Sequence, residues 1–122
     1  MCGIAGIINY RNDPVKDILN MNRAMLHRGP DAGDYWLDQE RKVVLGHRRL
    51  SIVDLSANGA QPMKSADGRY VIVYNGEIYN YQELEQKLRT DGCELHLRGT
   101  SDTEVILEAF SFYGMEKTLS FM

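Results

Sequence analysis

The sequence has few of the residues that build metal sites and disulfide frameworks. Cysteine occurs only as Cys2 and Cys93, and two cysteines are too few for a disulfide framework. The three histidines, His27, His47 and His96, stand far apart and lack the Cys/His spacing that zinc requires. We therefore expect reduced thiols, no metal, and histidines that are hydrogen-bonded structural residues rather than catalytic ones.

Long apolar runs and an excess of positive charge are also missing. No run approaches the roughly 20 apolar residues that span a bilayer, and residues 1–10 lack the cationic and apolar regions of a signal peptide. Fourteen Lys and Arg residues stand against 17 Asp and Glu residues, a formal net charge of −3, and no basic stripe could follow a phosphate backbone. We therefore expect a cytoplasmic protein that binds neither a membrane nor a nucleic acid.

The composition is otherwise that of an ordinary globular domain. Apolar residues make up 43% of the 122 residues and charged residues 25%. That apolar content suffices for a packed core, and the length fits one domain. Residues 1–122 are therefore expected to form a single domain.

Local patterns predict a mixture of strands and helices. The run from Cys2 to Tyr10 predicts a buried strand, and Asp13 followed by Pro14 predicts a capped helix start. Further strands are expected at residues 34–38, at 42–53 with a possible interruption, at 69–75 and at 94–97. The strand at 69–75 is expected to be central, because both of its faces are apolar, and residues 55–65 are expected to form a surface loop.

Two more helices are predicted by their ends. Asn80 with Glu83, and Ser101 with Glu104, have the spacing of a capping box, in which each side chain caps the other residue's backbone N–H. Gly92 and Gly114 are suited to the left-handed residue that ends a helix.

Cys2 is the first candidate for chemistry, because removal of Met1 would make it the N-terminal residue. A free α-amine has a pKa of about 7.7, so it could take the proton of the thiol of its own residue. One residue would then supply both nucleophile and base. On position alone, a small buried residue at the start of a strand is the commoner interpretation.

Asn75 and Gly76 follow the predicted strand at 69–75. A side-chain amide and a glycine N–H at such a point can both face one oxygen, as in an oxyanion hole. An Asn-Gly hairpin turn is the ordinary alternative. It is weakened here because Ile78, Tyr79 and Asn80 lead into a predicted helix rather than a returning strand.

Arg49 and Asp102 carry opposite charges on separate predicted elements. An Arg fork can hold an α-carboxylate through two bonds, and a carboxylate can hold an α-ammonium group. The alternatives are a surface strand residue for Arg49 and a helix-dipole carboxylate for Asp102. Neither residue identifies a ligand by itself.

In combination, however, these segments resemble a known family. The chain is similar to the glutaminase domain of glutamine-hydrolysing asparagine synthetases, which belongs to the class II glutamine amidotransferases. The resemblance runs from Cys2 to about Thr118. It depends on these segments, in this order: Met-Cys-Gly-Ile-Ala-Gly-Ile at residues 1–7, His-Arg-Gly-Pro-Asp at 27–31, Arg-Leu-Ser-Ile-Val-Asp at 49–54, Gln-Pro at 61–62, Asn-Gly-Glu-Ile-Tyr-Asn at 75–80 and Ser-Asp-Thr-Glu at 101–104.

The resemblance implies an α+β fold of the N-terminal-nucleophile hydrolase type, a four-layer α/β/β/α sandwich of antiparallel sheets that is incomplete here. It implies that Cys2 attacks the amide of glutamine, forms a glutamyl thioester and releases ammonia. Asn75 and Gly76 would stabilise the oxyanion. The α-carboxylate would bind Arg49, which the family pattern favours over Arg48, and the α-ammonium would bind Asp102.

The resemblance also implies further contacts and partners. Val53, through its backbone, and Glu77 would complete the glutamine pocket, and the loop at residues 27–31 would shape its wall. No cofactor is expected in this domain. ATP and magnesium are expected only in a C-terminal synthetase domain, absent here, that would use the ammonia to make asparagine from aspartate; a homo-oligomer is possible.

Three other hypotheses stay open from the residues. A relative of this family could amidate a different acceptor, such as a sugar acid. The chain could instead be a noncatalytic fragment that binds glutamine or its missing half. A conventional Cys/His hydrolase using His27 or His47 ranks last, because neither histidine is placed by a motif beside a cysteine.

Overall fold

The computed structural model describes residues 1–51 and 57–122. Their contacts divide the chain into two compact units. The first unit contains the described residues within Met1–Ile52, Ala60–Pro62 and Val73–Asn75. The second contains those within Val53–Gly59, Met63–Ile72 and Gly76–Met122.

The first unit is a three-stranded antiparallel sheet with one helix. Its elements are β1 (Gly3–Ile8), α1 (Pro14–Ala24), β2 (Ala32–Asp38) and β3 (Val43–Arg49). The strand order is β1-β3-β2, so β3 is central. Gly46 of β3 lies opposite Ala5 on one side and Tyr35 on the other.

Helix α1 begins where the sequence predicts and packs on this sheet. The Asp13 carboxylate accepts hydrogen bonds from the backbone N–H groups of Val15 and Lys16, both at 3.1 Å. Ile18 is fully buried against the sheet. A Cβ on Gly46 would lie 2.6 Å from Asn22 Oδ1 and 2.8 Å from Ile18, so only glycine permits this close approach.

The second unit is mainly helical. Its described residues form a 3-10 turn (Ala57–Gly59), β4 (Met63–Lys64), β5 (Val71–Ile72), α2 (Tyr81–Thr90), α3 (Asp102–Tyr113) and α4 (Met115–Leu119). Strands β4 and β5 form a two-stranded antiparallel sheet. The core lies between α2 and α3, where Leu84, Leu88, Val105 and Ala109 are buried.

Several predicted strands are wrong in extent or in kind. The strand expected at 69–75 is reduced to β5, and it pairs with β4 alone rather than lying at the centre of a sheet. The loop expected at 55–65 contains β4 and the 3-10 turn. Residues 94–97 form no strand. The strand expected at 42–53 ends at Arg49, and residues 52–53 lie outside the described part of the chain.

Both capping boxes are also wrong, although both helices exist. The Asn80 amide instead donates to the Phe121 carbonyl oxygen at 2.7 Å. The Glu104 carboxylate accepts from the Arg98 and Gly99 N–H groups, and the Ser101 side chain makes no cap bond. Gly92 and Gly114 do end their helices, with φ values of 89° and 84°.

The described residues therefore form an α+β structure with antiparallel sheets, as predicted. Among these residues, no helix is long and apolar enough to cross a membrane.

Candidate active site

Cys2 is half-buried immediately before β1, and its sulfur lies against the backbone of Leu50. The Leu50 N–H donates to Cys2 Sγ at 3.4 Å, and the thiol can donate to the Leu50 carbonyl oxygen at 3.6 Å. A main-chain N–H aimed at a sulfur is a donor that a thiolate can use. The nitrogen of Cys2 lies in a peptide bond with Met1, so it becomes a free amine only after Met1 is removed.

Arg49 is the last residue of β3, directly before Leu50. It is 9% exposed, while Arg48 is half-exposed and donates from Nε to the Gly29 carbonyl oxygen at 2.8 Å. Successive strand residues point to opposite faces, and the two arginines follow this alternation. The backbone contact between Cys2 and Leu50 therefore places the thiol next to the residue that we expect to bind a carboxylate.

The loop at residues 27–31 contacts both of these segments. Arg28 Nε donates to the Cys2 carbonyl oxygen at 3.3 Å. Asp31 donates its backbone N–H to the Arg49 carbonyl oxygen at 3.0 Å, and its carboxylate accepts from the Ser51 N–H at 2.7 Å. The loop thus holds the start of β1 and the end of β3 in a fixed relation.

Asn75 belongs to the same unit and is exposed. The residue before it, Tyr74, donates its N–H to Gln61 Oε1 at 2.6 Å. Gln61 therefore fixes the backbone that leads to Asn75. Sequence reasoning gave Gln61 no role, because a long-range contact from a side-chain amide to a backbone N–H leaves no periodic signal.

His47 lies in the central strand of this unit and is 1% exposed. Its pKa is lowered from the usual 6.5, mainly by burial and also by the charge of Arg49, with a backbone group of Tyr74 opposing the shift. Among the described residues, neither ring nitrogen has a hydrogen-bond partner of good geometry. Within the described ranges, the expected hydrogen-bonded histidine is therefore a buried ring whose nitrogens lack well-formed bonds.

The second unit carries the other predicted site residues. Gly76 and Glu77 are exposed at the start of the segment that leads to α2. The next residue, Ile78, donates its N–H to Asp102 Oδ2 at 2.8 Å, and Asp102 Oδ1 accepts from the Thr103 N–H at 2.8 Å. Asp102 therefore ties the N-terminus of α3 to the segment that begins at Gly76.

The predicted site residues are thus divided between the units. Cys2, Arg49 and Asn75 belong to the first unit, while Gly76, Glu77 and Asp102 belong to the second. Val53 lies outside the described residues. In the described ranges, 1–51 and 57–122, no group of three His, Cys, Asp or Glu side chains could hold a metal ion.

A cavity of about 340 Å³ in the first unit contains none of the predicted residues. It is lined by residues of α1, by Leu26 after that helix, by residues 33–35 of β2 and by Arg48.

Cys93 differs from Cys2 in its surroundings. Burial raises the pKa of the Cys93 thiol, and the negative charge of Glu108 raises it further. A thiol of raised pKa is protonated at neutral pH and reacts slowly as a nucleophile. The sequence interpretation gave Cys93 no chemistry, and that stays a prediction.

Comparison with known proteins gives a match over the whole chain. The model of a family described as "Glutamine amidotransferase domain" matches residues 1–122. Asparagine synthetase [glutamine-hydrolyzing] 1 of Bacillus subtilis is 41% identical over 121 residues, which cover 95% of this chain and 18% of the relative. Asparagine synthetase B [glutamine-hydrolyzing] of Escherichia coli is 41% identical over 120 residues, which cover 95% of this chain and 20% of the relative.

Amidase chry2 of Gibberella zeae is 34% identical over 127 residues, covering 94% of this chain and 18% of the relative. The chain therefore spans about a fifth of the length of these relatives.

Proposed function

Because this chain belongs to the glutamine amidotransferase domain family, we propose that it hydrolyses the side-chain amide of glutamine to glutamate and ammonia. Cys2, once Met1 has been removed, is the nucleophile. The observation that carries the proposal is the thiol of Cys2 against the backbone of Leu50, beside the buried Arg49.

The first step forms a covalent intermediate. The α-amine of Cys2 takes the thiol proton, and the sulfur attacks the amide carbon. The carbonyl oxygen becomes an oxyanion, which the Asn75 side chain and the Gly76 N–H stabilise. The ammonium formed on Cys2 returns the proton to the leaving nitrogen, and the C–N bond breaks to release ammonia.

The second step regenerates the enzyme. Water attacks the glutamyl thioester, with the α-amine again accepting a proton. The C–S bond breaks, glutamate leaves and the thiol is restored. The Leu50 N–H, 3.4 Å from Sγ, supports this cycle because it offers a donor to sulfur whenever sulfur carries negative charge.

The charges of the chain support binding of an amino acid. Arg49 binds the α-carboxylate, and Asp102 binds the α-ammonium, since its two oxygens retain acceptor capacity beyond their present backbone bonds. Val53, through its backbone, and Glu77 complete the pocket. We also propose that the complete domain forms the four-layer α/β/β/α sandwich of N-terminal-nucleophile hydrolases.

In a longer protein that carries this chain, we propose that the ammonia is delivered to a synthetase domain. That domain uses ATP and magnesium to activate an acceptor carboxylate, aspartate in an asparagine synthetase. The hydrolytic step in this chain needs no cofactor in our proposal.

The test is Cys2→Ala in the full-length protein, with Cys93→Ala as the matched control. We expect Cys2→Ala to lower glutamine hydrolysis by at least about a thousandfold while synthesis from added ammonia persists. Cys93→Ala should retain both activities. Undiminished glutamine hydrolysis by Cys2→Ala would refute the assignment of the nucleophile.

A further inference from the structure

Glu104 is a buried carboxylate in the first turn of α3, 2% exposed. A buried charge is costly unless it is paired and hydrogen-bonded. Glu104 Oε1 accepts from the Arg98 backbone N–H at 2.8 Å and from Arg98 Nε at 3.1 Å, and Oε2 accepts from the Gly99 N–H at 3.0 Å. Every one of these donors belongs to the segment that leads into α3.

The two carboxylate oxygens of Glu104 therefore accept hydrogen bonds from two consecutive backbone N–H groups, one oxygen from each. The segment is also held from outside, since Asn58 Nδ2 donates to the Arg98 carbonyl oxygen at 2.8 Å. Only residues 100 and 101 separate Gly99 from Asp102, so a fixed Gly99 limits where Asp102 can lie. Asp102 in turn accepts from the Ile78 N–H at 2.8 Å.

We propose that Glu104 is a positioning residue for glutamine recognition: by fixing residues 98–99 it holds the Asp102 carboxylate where it binds the α-ammonium group. This inference rests on the proposed function, which assigns Asp102 that role. A carboxylate suits the position better than an amide does. A glutamine here would present an NH₂ donor to one of the two N–H donors and could not accept from it.

The experiment compares two substrates of the full-length protein after removal of Met1. One is glutamine, and the other is 4-carbamoylbutanoate, which is glutamine without its α-amino group. We expect E104Q to lower kcat/KM for glutamine by about tenfold and to change kcat/KM for 4-carbamoylbutanoate by less than about twofold. The selectivity for the α-amino group should therefore fall.

E108Q is the matched control. Glu108 lies one turn later on α3, and its Oε1 accepts from the Ala66 N–H at 2.7 Å. The substitution is chemically identical and also weakens a bond to a backbone N–H. That N–H belongs to Ala66, however, and not to the segment directly before Asp102. E108Q should keep the selectivity of the unmodified protein.

D102N, measured in parallel, distinguishes the proposed role of Asp102 from that of Glu104. If D102N keeps the selectivity for the α-amino group, the proposed role of Asp102 is wrong. If D102N loses selectivity and E104Q retains it, only the positioning role of Glu104 is overturned. An equal loss of kcat/KM on both substrates by E104Q would likewise assign Glu104 to stability alone.

Circular dichroism establishes that E104Q is folded. If it is not, E104D is read by the same criteria, because the shorter carboxylate cannot reach both N–H groups. Failure of both variants to fold would also overturn the proposal, since Glu104 would then serve folding alone.

Discussion

A thiol attacks as its thiolate, so the surroundings of the two cysteines decide which one can react. Cys2 lies within reach of the Leu50 N–H. Cys93 has a pKa raised by burial and by the charge of Glu108. We therefore expect electrophiles at neutral pH to distinguish the two residues, in favour of Cys2.

His47 gives a prediction for stability against pH. Its pKa in the folded state is below 6.5, so between that lowered pKa and 6.5 the unfolded state binds more protons than the folded state does. Stability should be fully present above about pH 6.5 and should fall as the pH is lowered through this window. A single group can contribute at most about 1.4 kcal/mol per pH unit.

The measurement is urea unfolding between pH 7 and pH 5 for the unmodified chain and for His47→Leu. We expect the free energy of unfolding of His47→Leu to fall less than that of the unmodified chain as the pH is lowered, because leucine is neutral in both the folded and the unfolded state. His96→Leu, at an exposed position, is the control. An identical pH dependence in both variants would contradict the role assigned to His47.

At the scale of elements, the loop at 27–31 determines how β1 and β3 meet beside the thiol. Gly29 makes its close approach possible, because a Cβ there would collide with the backbone of Arg48 and Arg49. We expect Gly29→Ala to destabilise the chain by roughly 2–3 kcal/mol, since backbone atoms cannot move aside as a flexible side chain does. Chemical denaturation measures this loss.

Gly6→Ala is the matched control for that substitution. Its added Cβ would lie 3.2 Å from Leu45 Cδ2, the end of a flexible side chain, and 3.6 Å from the Val44 carbonyl oxygen. We expect a change in unfolding free energy below about 1 kcal/mol. Equal losses in Gly29→Ala and Gly6→Ala would show that the loop is not tightly packed against β3.

The elements that sequence predicts well are those whose signals are local. The cap at Asp13 and the glycines that end α2 and α3 depend only on near neighbours. The expected buried strand at residues 2–10 is instead β1, Gly3–Ile8, with Ile4 and Ile8 exposed. The capping boxes fail because distant groups take the side chains: Asn80 bonds to Phe121 and Glu104 to residues 98–99.

The predicted strand at 69–75 fails for a similar reason. Near its end, Tyr74 donates to the side chain of Gln61 rather than to a neighbouring strand. The apolar residues of 69–75 therefore do not place this segment at the centre of a sheet, and only Val71–Ile72 pair with another strand. Long-range hydrogen bonds of this kind are set by the tertiary structure and cannot be predicted from periodicity.

At the scale of the whole molecule, the predicted site residues are distributed over both compact units. Cys2, Arg49 and Asn75 come from one, and Gly76, Glu77 and Asp102 from the other. The opposite charges of Arg49 and Asp102 suit an amino-acid substrate, but only the combination of motifs in the sequence indicated glutamine. The family match over residues 1–122 confirms that resemblance, while the role of each residue stays a prediction.

The most direct measurement is the intact mass of the chain, with peptide mapping, after exposure to a diazo-ketone analogue of glutamine. We predict a single adduct on Cys2 in chains that have lost Met1, and protection from it by added glutamine. An adduct on Cys93, or equal labelling of Cys2 in chains that keep Met1, would contradict the pairing of one residue's sulfur with its own free amine.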